Sequence, residues 1–191
     1  MSHHASVNNL DMRSQKSWHK VRLAFEELVL TKRYDEITTS EIIERAGVAR
    51  STFYEHFSNK EDILGKSLYP PLMVLAKCVN EDSNEESLRQ ILHHFWEHRS
   101  FCRLILTGAA RKSVNRILID ALNDKIIDNL KKSNRKIIIS TYHAAAQIGA
   151  SQLTLMEIWL LGKAKSSDEN LAFTMKKTSL GLLNALVQDD I

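Results

Sequence analysis

Residues 38–60 read TTSEIIERAGVARSTFYEHFSNK and contain two short helical patterns separated by one glycine. In the first pattern Thr38 is followed three residues later by a glutamate, which is the spacing of a capping box at a helix start. The pattern ends at Gly47, where a left-handed backbone costs glycine little. The second pattern turns Phe53 and Phe57 to one side. The stretch therefore predicts two helices joined by a tight turn.

Such a pair is the helix-turn-helix unit, whose second helix enters the DNA major groove while the first braces it. Arg50, Ser51, Tyr54 and Glu55 are expected to point outward from the second helix. Arginine can pair with guanine through two hydrogen bonds, and hydroxyls at a helix start can hold phosphate. Glu55 is unusual, because a carboxylate repels phosphate and must read a base or turn away. The pattern leaves open a plain helical hairpin with an inert polar face. The expected packing side is Ile42, Ile43, Ala46, Val48, Phe53 and Phe57.

Residues 37–64, ITTSEIIERAGVARSTFYEHFSNKEDIL, resemble the DNA-binding signature of the TetR family of transcriptional regulators. The shared features are the threonine before the second helix, the Ala-Gly-Val turn, the Thr-Phe-Tyr-x-His-Phe core and the Ser-x-Lys-Glu entry into the fourth helix. The resemblance covers roughly residues 14–66, and beyond it only the helical layout and the length are similar. It implies an all-α fold of about nine helices. An N-terminal three-helix helix-turn-helix domain over 1–65 would bind DNA, and a larger helical domain over 66–191 would bind an effector and dimerise.

The resemblance also implies roles for single residues. Base contacts fall to Arg50, Ser51 and Tyr54. Two residues depart from the family pattern. Ala49 stands where many relatives have a hydroxyl, which removes one phosphate contact, and Glu55 places an acid near the DNA backbone. Phosphate contacts fall to Thr38 or Thr39 and to Thr52, Tyr54, His56 and Lys60.

Overall charge adds little to the DNA-binding hypothesis. The chain has 191 residues and a net charge of +3, but residues 1–65 hold nine basic and ten acidic residues, whereas residues 66–191 hold seventeen and thirteen. Any DNA affinity must therefore come from where particular groups lie. Cys78 and Cys102 match no metal spacing or disulfide framework, which suits a reducing cytosol. We accordingly expect a cytoplasmic protein without a membrane span.

Few glycines and prolines and an abundance of Leu, Ile, Ala, Glu and Lys favour long helices throughout. The first helix is predicted from about Ser14 to Lys32, and Pro70 with Pro71 should kink or break the fourth helix after Tyr69. Three further capping boxes are predicted, Ser58 with Glu61, Ser83 with Glu86 and Ser166 with Glu169. The later helices are predicted at about 84–98, 100–107, 110–131, 135–162 and 168–188.

The helix predicted at 135–162 has apolar or small residues on nearly every side. One small domain cannot bury all of these sides. Together with the last helix it is expected to form a dimer interface, as the pairing of the last two helices in TetR-like proteins implies. An ordinary buried core helix is the alternative. The predicted interface residues are Ala145, Gly149, Gln152, Met156, Leu182 and Leu186, and Ala144, Ala146 and Ala150 also permit close approach.

The middle helices are expected to enclose a small hydrophobic effector of unknown identity, with Met73, Trp96, Phe101 and Tyr142 as candidate lining residues. Bulky apolar residues at helical spacing also suit a plain core. His93, His94 and His98 invite a metal hypothesis, but they fall opposite the apolar face without a third ligand nearby, so no metal or cofactor is expected. Phosphate loops, nucleophile elbows and His-Glu metal helices do not occur, which argues against an enzyme.

These patterns predict a DNA-binding transcriptional regulator. The resemblance implies a homodimer on a palindromic operator, acting as a repressor that a small-molecule effector releases. The alternative is a diverged helical adaptor or an activator of the same fold that acts through a protein or small-molecule partner.

Overall fold

The computed structural model describes residues 3–188, and it describes side chains from Met12 onward. Nine α-helices account for most of this part of the chain, as the predicted all-α fold requires. Their bounds are α1 His3–Thr31, α2 Thr39–Ala46, α3 Arg50–His56, α4 Lys60–Ala76, α5 Glu85–Glu97, α6 Arg99–Thr107, α7 Arg111–Ser133, α8 Thr141–Leu160 and α9 Asp168–Leu186. Short 3₁₀ turns lie at Tyr34–Glu36 and Lys77–Val79. Two strands, β1 Lys136–Ile137 and β2 Val187–Gln188, pair antiparallel.

The chain divides between Ser67 and Leu68 into two compact units. In the first unit, α1, α2 and α3 pack around one apolar centre. Phe25 of α1 and Phe53 of α3 are completely buried, and the ring of Phe57 lies 6.0 Å from that of Trp18. The unit thus holds α3 by its aromatic side and leaves the opposite side exposed.

Local chemistry fixes the ends of α2 as predicted. The Thr38 hydroxyl accepts a hydrogen bond from the Glu41 backbone N–H at 3.3 Å, and the Glu41 carboxylate accepts from the Thr38 N–H at 2.9 Å. Gly47 ends the helix with φ of 60°, in the left-handed region that favours glycine. The capping box and the glycine stop are confirmed, and they set the turn that leads into α3.

In the second unit, α8 packs on both α7 and α9, and α5 packs on α9. Gly149 of α8 lies so close to α7 that a Cβ there would meet Leu122 Cδ1 at 3.4 Å and Ile119 Cγ1 at 3.5 Å. The small residues of α8 therefore serve close packing within the chain. The pairs Lys136 with Gln188 and Ile137 with Val187 join the segment before α8 to the end of α9.

Of the kink or break predicted at Pro70 and Pro71, the break is wrong, because α4 continues through both prolines to Ala76. Each proline removes one backbone donor, but its fixed φ of about −65° is itself helical. Leu72, Leu75 and Ala76 beyond the prolines are buried, which offsets the missing hydrogen bonds. The predicted start of the first helix near Ser14 is also wrong, since α1 begins at His3.

Three predicted caps are displaced by one residue. The helix starts are capped by Asn59, Asn84 and Ser167, whose side chains accept from Asp62, Ser87 and Asn170 backbone N–H groups. In each case the neighbouring serine lies just outside the helix, because the next residue is an equally good cap. The helix predicted from 135 begins only at Thr141, after a run of three isoleucines whose β-branched side chains favour the extended backbone.

Candidate nucleic-acid interface

One side of α3 is exposed and polar, while its other side is buried and aromatic. The exposed residues are Arg50, Ser51, Tyr54 and Glu55, and the exposed fraction of Tyr54 is 55%. Glu55 has no ion-pair partner among residues 12–188. The structure brings the four outward residues onto one accessible surface of a seven-residue helix.

Arg50 is positioned at the start of α3 by α2. Its guanidinium donates to the Ser40 hydroxyl at 3.1 Å, and both side chains are exposed. One of its five N–H donors is used in this contact, so the others stay available for a bidentate bond to guanine. The base contact of Arg50 remains a prediction that this geometry allows.

The two threonines at the start of α2 differ in how free they are to contact a phosphate. The Thr38 hydroxyl accepts from the Glu41 N–H and donates to the Glu41 carboxylate at 2.9 Å, while Thr39 is half-buried. The hydrogen bond from Lys32, with those from the Thr38 backbone and hydroxyl, lowers the pKa of Glu41 to about 2. Thr38 is thus engaged in the cap, and a phosphate contact by it would compete with that role.

Lys60 points back into its own unit. Its ammonium donates to the backbone carbonyls of Tyr34 at 2.7 Å, Asp35 at 3.3 Å and Ile37 at 2.9 Å, and lies 4.8 Å from the Tyr34 ring centre. These bonds occupy all three N–H donors of the group. A phosphate contact by Lys60 would require one of them to be exchanged, and the geometry favours a structural role.

Replacing Lys60 with methionine should lower the free energy of unfolding by about 1–3 kcal/mol, because three carbonyls lose a charged donor. The salt dependence of DNA binding should stay the same, whereas a lost phosphate contact would reduce its slope by about one. Chemical denaturation and salt-titrated DNA binding measure the two effects. Lys20→Met, which removes an exposed lysine from α1, is the control. Unchanged stability with a reduced slope would restore the predicted phosphate contact.

Lys66 has a comparable role that the sequence analysis missed. Its ammonium donates to the His56 carbonyl at 2.6 Å and to Asp62 at 3.1 Å, and lies 5.4 Å from the centre of the Phe57 ring. A cation at the C-terminal end of α3 satisfies a carbonyl that the helix leaves unpaired. The spacing of Asp62 and Lys66, one helical turn apart, was the available signal.

Thr52 and His56 are half-buried on the flanks of the exposed face. The Nε2 atom of His56 is buried and has no hydrogen-bond partner in the described part of the chain. The predicted phosphate contacts of these two residues therefore remain predictions, and side-chain rotation is needed before His56 Nε2 can reach a ligand.

The predicted dimer residues need correction. Ala145, Gly149, Gln152 and Met156 are buried within the chain, where α8 packs on its neighbours. The Gln152 amide donates to the Leu75 carbonyl at 3.2 Å and to the Ser179 hydroxyl at 2.9 Å. Leu182 and Leu186 are half-buried. A helix that is apolar all round does not reveal which side faces its own chain, so the choice of side was wrong for these four residues.

The predicted pocket residues do not gather around one cavity. Phe101 lines a small apolar cavity of about 20 Å³ between α4, α5, α6, α7 and α8, with Cys102 and Met156 among its neighbours. Trp96 instead stacks on Trp159 at 5.0 Å, and Tyr142 is about half exposed. Met73 does not line this cavity. The space holds roughly one water molecule, so a larger ligand there requires side chains to move.

No group of three or more potential metal-ligating side chains meets within the described residues. The ring of His94, on the exposed side of α5, lies 4.4 Å from the ring of His98, which directly follows the helix. Burial raises the pKa of the Cys78 thiol to about 12, and Cys102 is also buried.

Among residues 3–188, none of the helices has the length and apolar character needed to cross a bilayer.

Two short helices with a glycine turn, an exposed polar face on the second and an all-helical second unit define a helix-turn-helix DNA-binding protein. Residues 26–66 match the sequence model of the "Bacterial regulatory proteins, tetR family". The helix-turn-helix region therefore has the sequence signature of this family, and the fold of the chain is similar to that of solved TetR-family regulators.

Several relatives share most of the chain's length. The chain is 27% identical over 168 residues to the HTH-type dhaKLM operon transcriptional activator DhaS of Lactococcus lactis subsp. lactis, covering 81% of this chain and 87% of the relative. A TetR transcriptional regulator from Streptococcus agalactiae superimposes with a TM-score of 0.59 and 25% identity, over 92% of this chain and 98% of that one. The Thermus thermophilus repressor FadR, solved with lauroyl-CoA, has the same fold at 16% identity, with a TM-score of 0.52 over 91% and 97% of the two chains.

Proposed function

We propose that the protein binds a palindromic operator as a homodimer, represses transcription from it and leaves it when a small effector binds. The observation that carries this proposal is the exposed face of α3, formed by Arg50, Ser51, Tyr54 and Glu55. In this proposal the first unit reads DNA, and the second unit pairs two copies and binds the effector. Since one recognition helix covers few base pairs, two copies reading half-sites ~34–36 Å apart give useful specificity.

The exposed sides of α8 and α9 support the pairing of two copies. On α8 the exposed residues Ala150, Ser151 and Thr154 follow one another at helical spacing, and on α9 Thr178 and Gly181 do the same. None of these residues is charged, although 26% of the chain is. Depletion of charge is typical of the centre of a protein interface. We therefore place the dimer contact on this uncharged stripe.

Arg50 is the proposed base-reading residue. Arg50→Ala should weaken binding to the operator by about 1–3 kcal/mol and leave binding to random duplex nearly unchanged, because only the operator offers the correctly placed guanine. Arg116→Ala removes an exposed arginine from α7 and serves as the matched control. Equal losses on operator and random duplex would contradict base reading by Arg50.

Gel-shift binding to the promoter DNA next to the protein's own gene, at two salt concentrations, tests the function as a whole. We expect binding to this DNA to survive the higher salt better than binding to random duplex. A complete absence of specific binding would favour the alternative, an adaptor of the same fold that works through another partner.

Activation is a second candidate for the direction of control, because the similar DhaS is an operon activator by name. A reporter gene behind the bound promoter distinguishes the two in cells with and without the protein. Repression predicts that deletion raises reporter expression, and activation predicts that deletion lowers it.

A further inference from the structure

A second, polar cavity of about 360 Å³ lies in the C-terminal unit, between the end of α4, the start of α5 and α7. The buried Leu88 gives its wall an apolar part, while Lys77 and Lys125 line it with cationic side chains. Asp82 is the single carboxylate among the residues that line it, so the wall has a formal charge of +1. The cavity is large enough for a small organic molecule, unlike the apolar one.

Side chains from α7, α8 and α9 hold the segments that form the wall. Asn129 of α7 donates to the Val79 carbonyl at 3.1 Å, Gln152 of α8 donates to the Leu75 carbonyl at 3.2 Å, and Lys176 of α9 donates to the Ser83 carbonyl at 2.7 Å. The Ser83 N–H also donates to the Asn80 carbonyl at 3.2 Å. A wall that is already ordered loses little entropy when a ligand binds.

The wall also contains polar groups with unused bonding capacity. The Ser83 hydroxyl is buried without a hydrogen-bond partner among the described residues, and such groups normally have one. Among residues 12–188, the one ion-pair contact of Lys125 is with Asp128 at 3.9 Å, which is longer than a hydrogen bond. A small ligand that carries oxygen atoms and negative charge would supply a partner to Lys125 directly and to the Ser83 hydroxyl after rotation of the serine side chain.

We propose that this cavity binds a small anion through a phosphate or carboxylate group. Lys77 and Lys125 provide the positive charge, and hydrogen bonds come from the Ser87 hydroxyl and, once its side chain has rotated, from the Ser83 hydroxyl. The regulatory meaning of the site rests on the proposed ligand-controlled DNA binding, whereas anion binding itself does not involve DNA. Because Lys77 directly follows α4, an occupant contacts the segment that ends this helix.

The test is an NMR titration of the full-length protein with inorganic phosphate, in the absence of DNA and at constant ionic strength. We expect saturable amide shifts confined to residues 74–88 and to the surroundings of Lys125. The Lys77→Gln/Lys125→Gln double variant should raise the apparent Kd at least about tenfold, since both charge partners are lost. Lys112→Gln/Lys163→Gln removes the same charge from exposed positions outside the cavity and should leave the Kd unchanged.

Malonate, used in a parallel titration, distinguishes a carboxylate ligand from a phosphate ligand, and saturable binding of either anion at this site supports the inference. Shifts that never saturate, or an equal loss of affinity in both double variants, would overturn it. Gel shifts with the same proteins keep the two proposals separate. Saturable phosphate binding without operator binding refutes the proposed function alone, and operator binding without anion binding refutes the cavity site alone.

Discussion

Replacing Phe53 with alanine should lower the free energy of unfolding of the N-terminal unit by about 3–5 kcal/mol and abolish DNA binding. The Phe53 side chain is completely buried, and its ring lies 5.9 Å from that of Phe57 and 5.3 Å from that of Tyr54. Truncation leaves a cavity beneath α3, which is too short to keep its helical form without packing. Chemical denaturation followed by circular dichroism measures the loss.

Leu23→Ala is the control, because this α1 side chain is 42% exposed and its truncation should change stability by less than about 1 kcal/mol. If Phe53→Ala left both the stability and the operator affinity unchanged, the packing that positions the exposed face of α3 would be wrong.

Arginine at Ala150 or Thr178 should break the proposed dimer. Both positions are exposed in the single chain and lie on the uncharged stripe of α8 and α9. In a two-fold interface each substitution is present twice, once in each copy. Dimerisation would therefore desolvate two new cations close to each other, and juxtaposed like charges in an interface cost several kcal/mol. We expect the dimer dissociation constant to rise at least about 100-fold, and operator affinity to fall with it.

Sedimentation equilibrium measures this change directly. Ala109→Arg introduces the same charge at an exposed position outside the stripe and should leave the dimer intact. A wild-type monomer, or unchanged dimers of both stripe variants, would place the pairing of two copies elsewhere or rule it out.

The helix-turn-helix region could be predicted because its signals are local. The Thr38 cap requires only Glu41 three residues later, and the Gly47 stop requires only a residue that tolerates positive φ. The burial of Phe53 and Phe57 follows from helical spacing alone. These features need no knowledge of the rest of the chain.

Tertiary contacts account for what could not be predicted. Lys60 meets three carbonyls that lie 23 to 26 residues earlier, and nothing in the spacing shows that they converge. Gly149 and Gln152 face α7, α4 and α9 within the chain, but a helix with small or apolar residues on every side fits a partner equally well. The polar cavity at Lys77 and Lys125 likewise combines segments far apart in sequence.

The most direct test of the central claim, that the exposed face of α3 reads DNA in the major groove, is dimethyl sulfate protection of operator guanines. This reagent methylates guanine N7, the major-groove atom that a bidentate arginine covers. We predict two sets of protected guanines about one helical turn apart, and loss of protection at one guanine in each half-site with Arg50→Ala. Guanines that stay unprotected in a formed complex, or protection that Arg50→Ala leaves unchanged, would contradict the account.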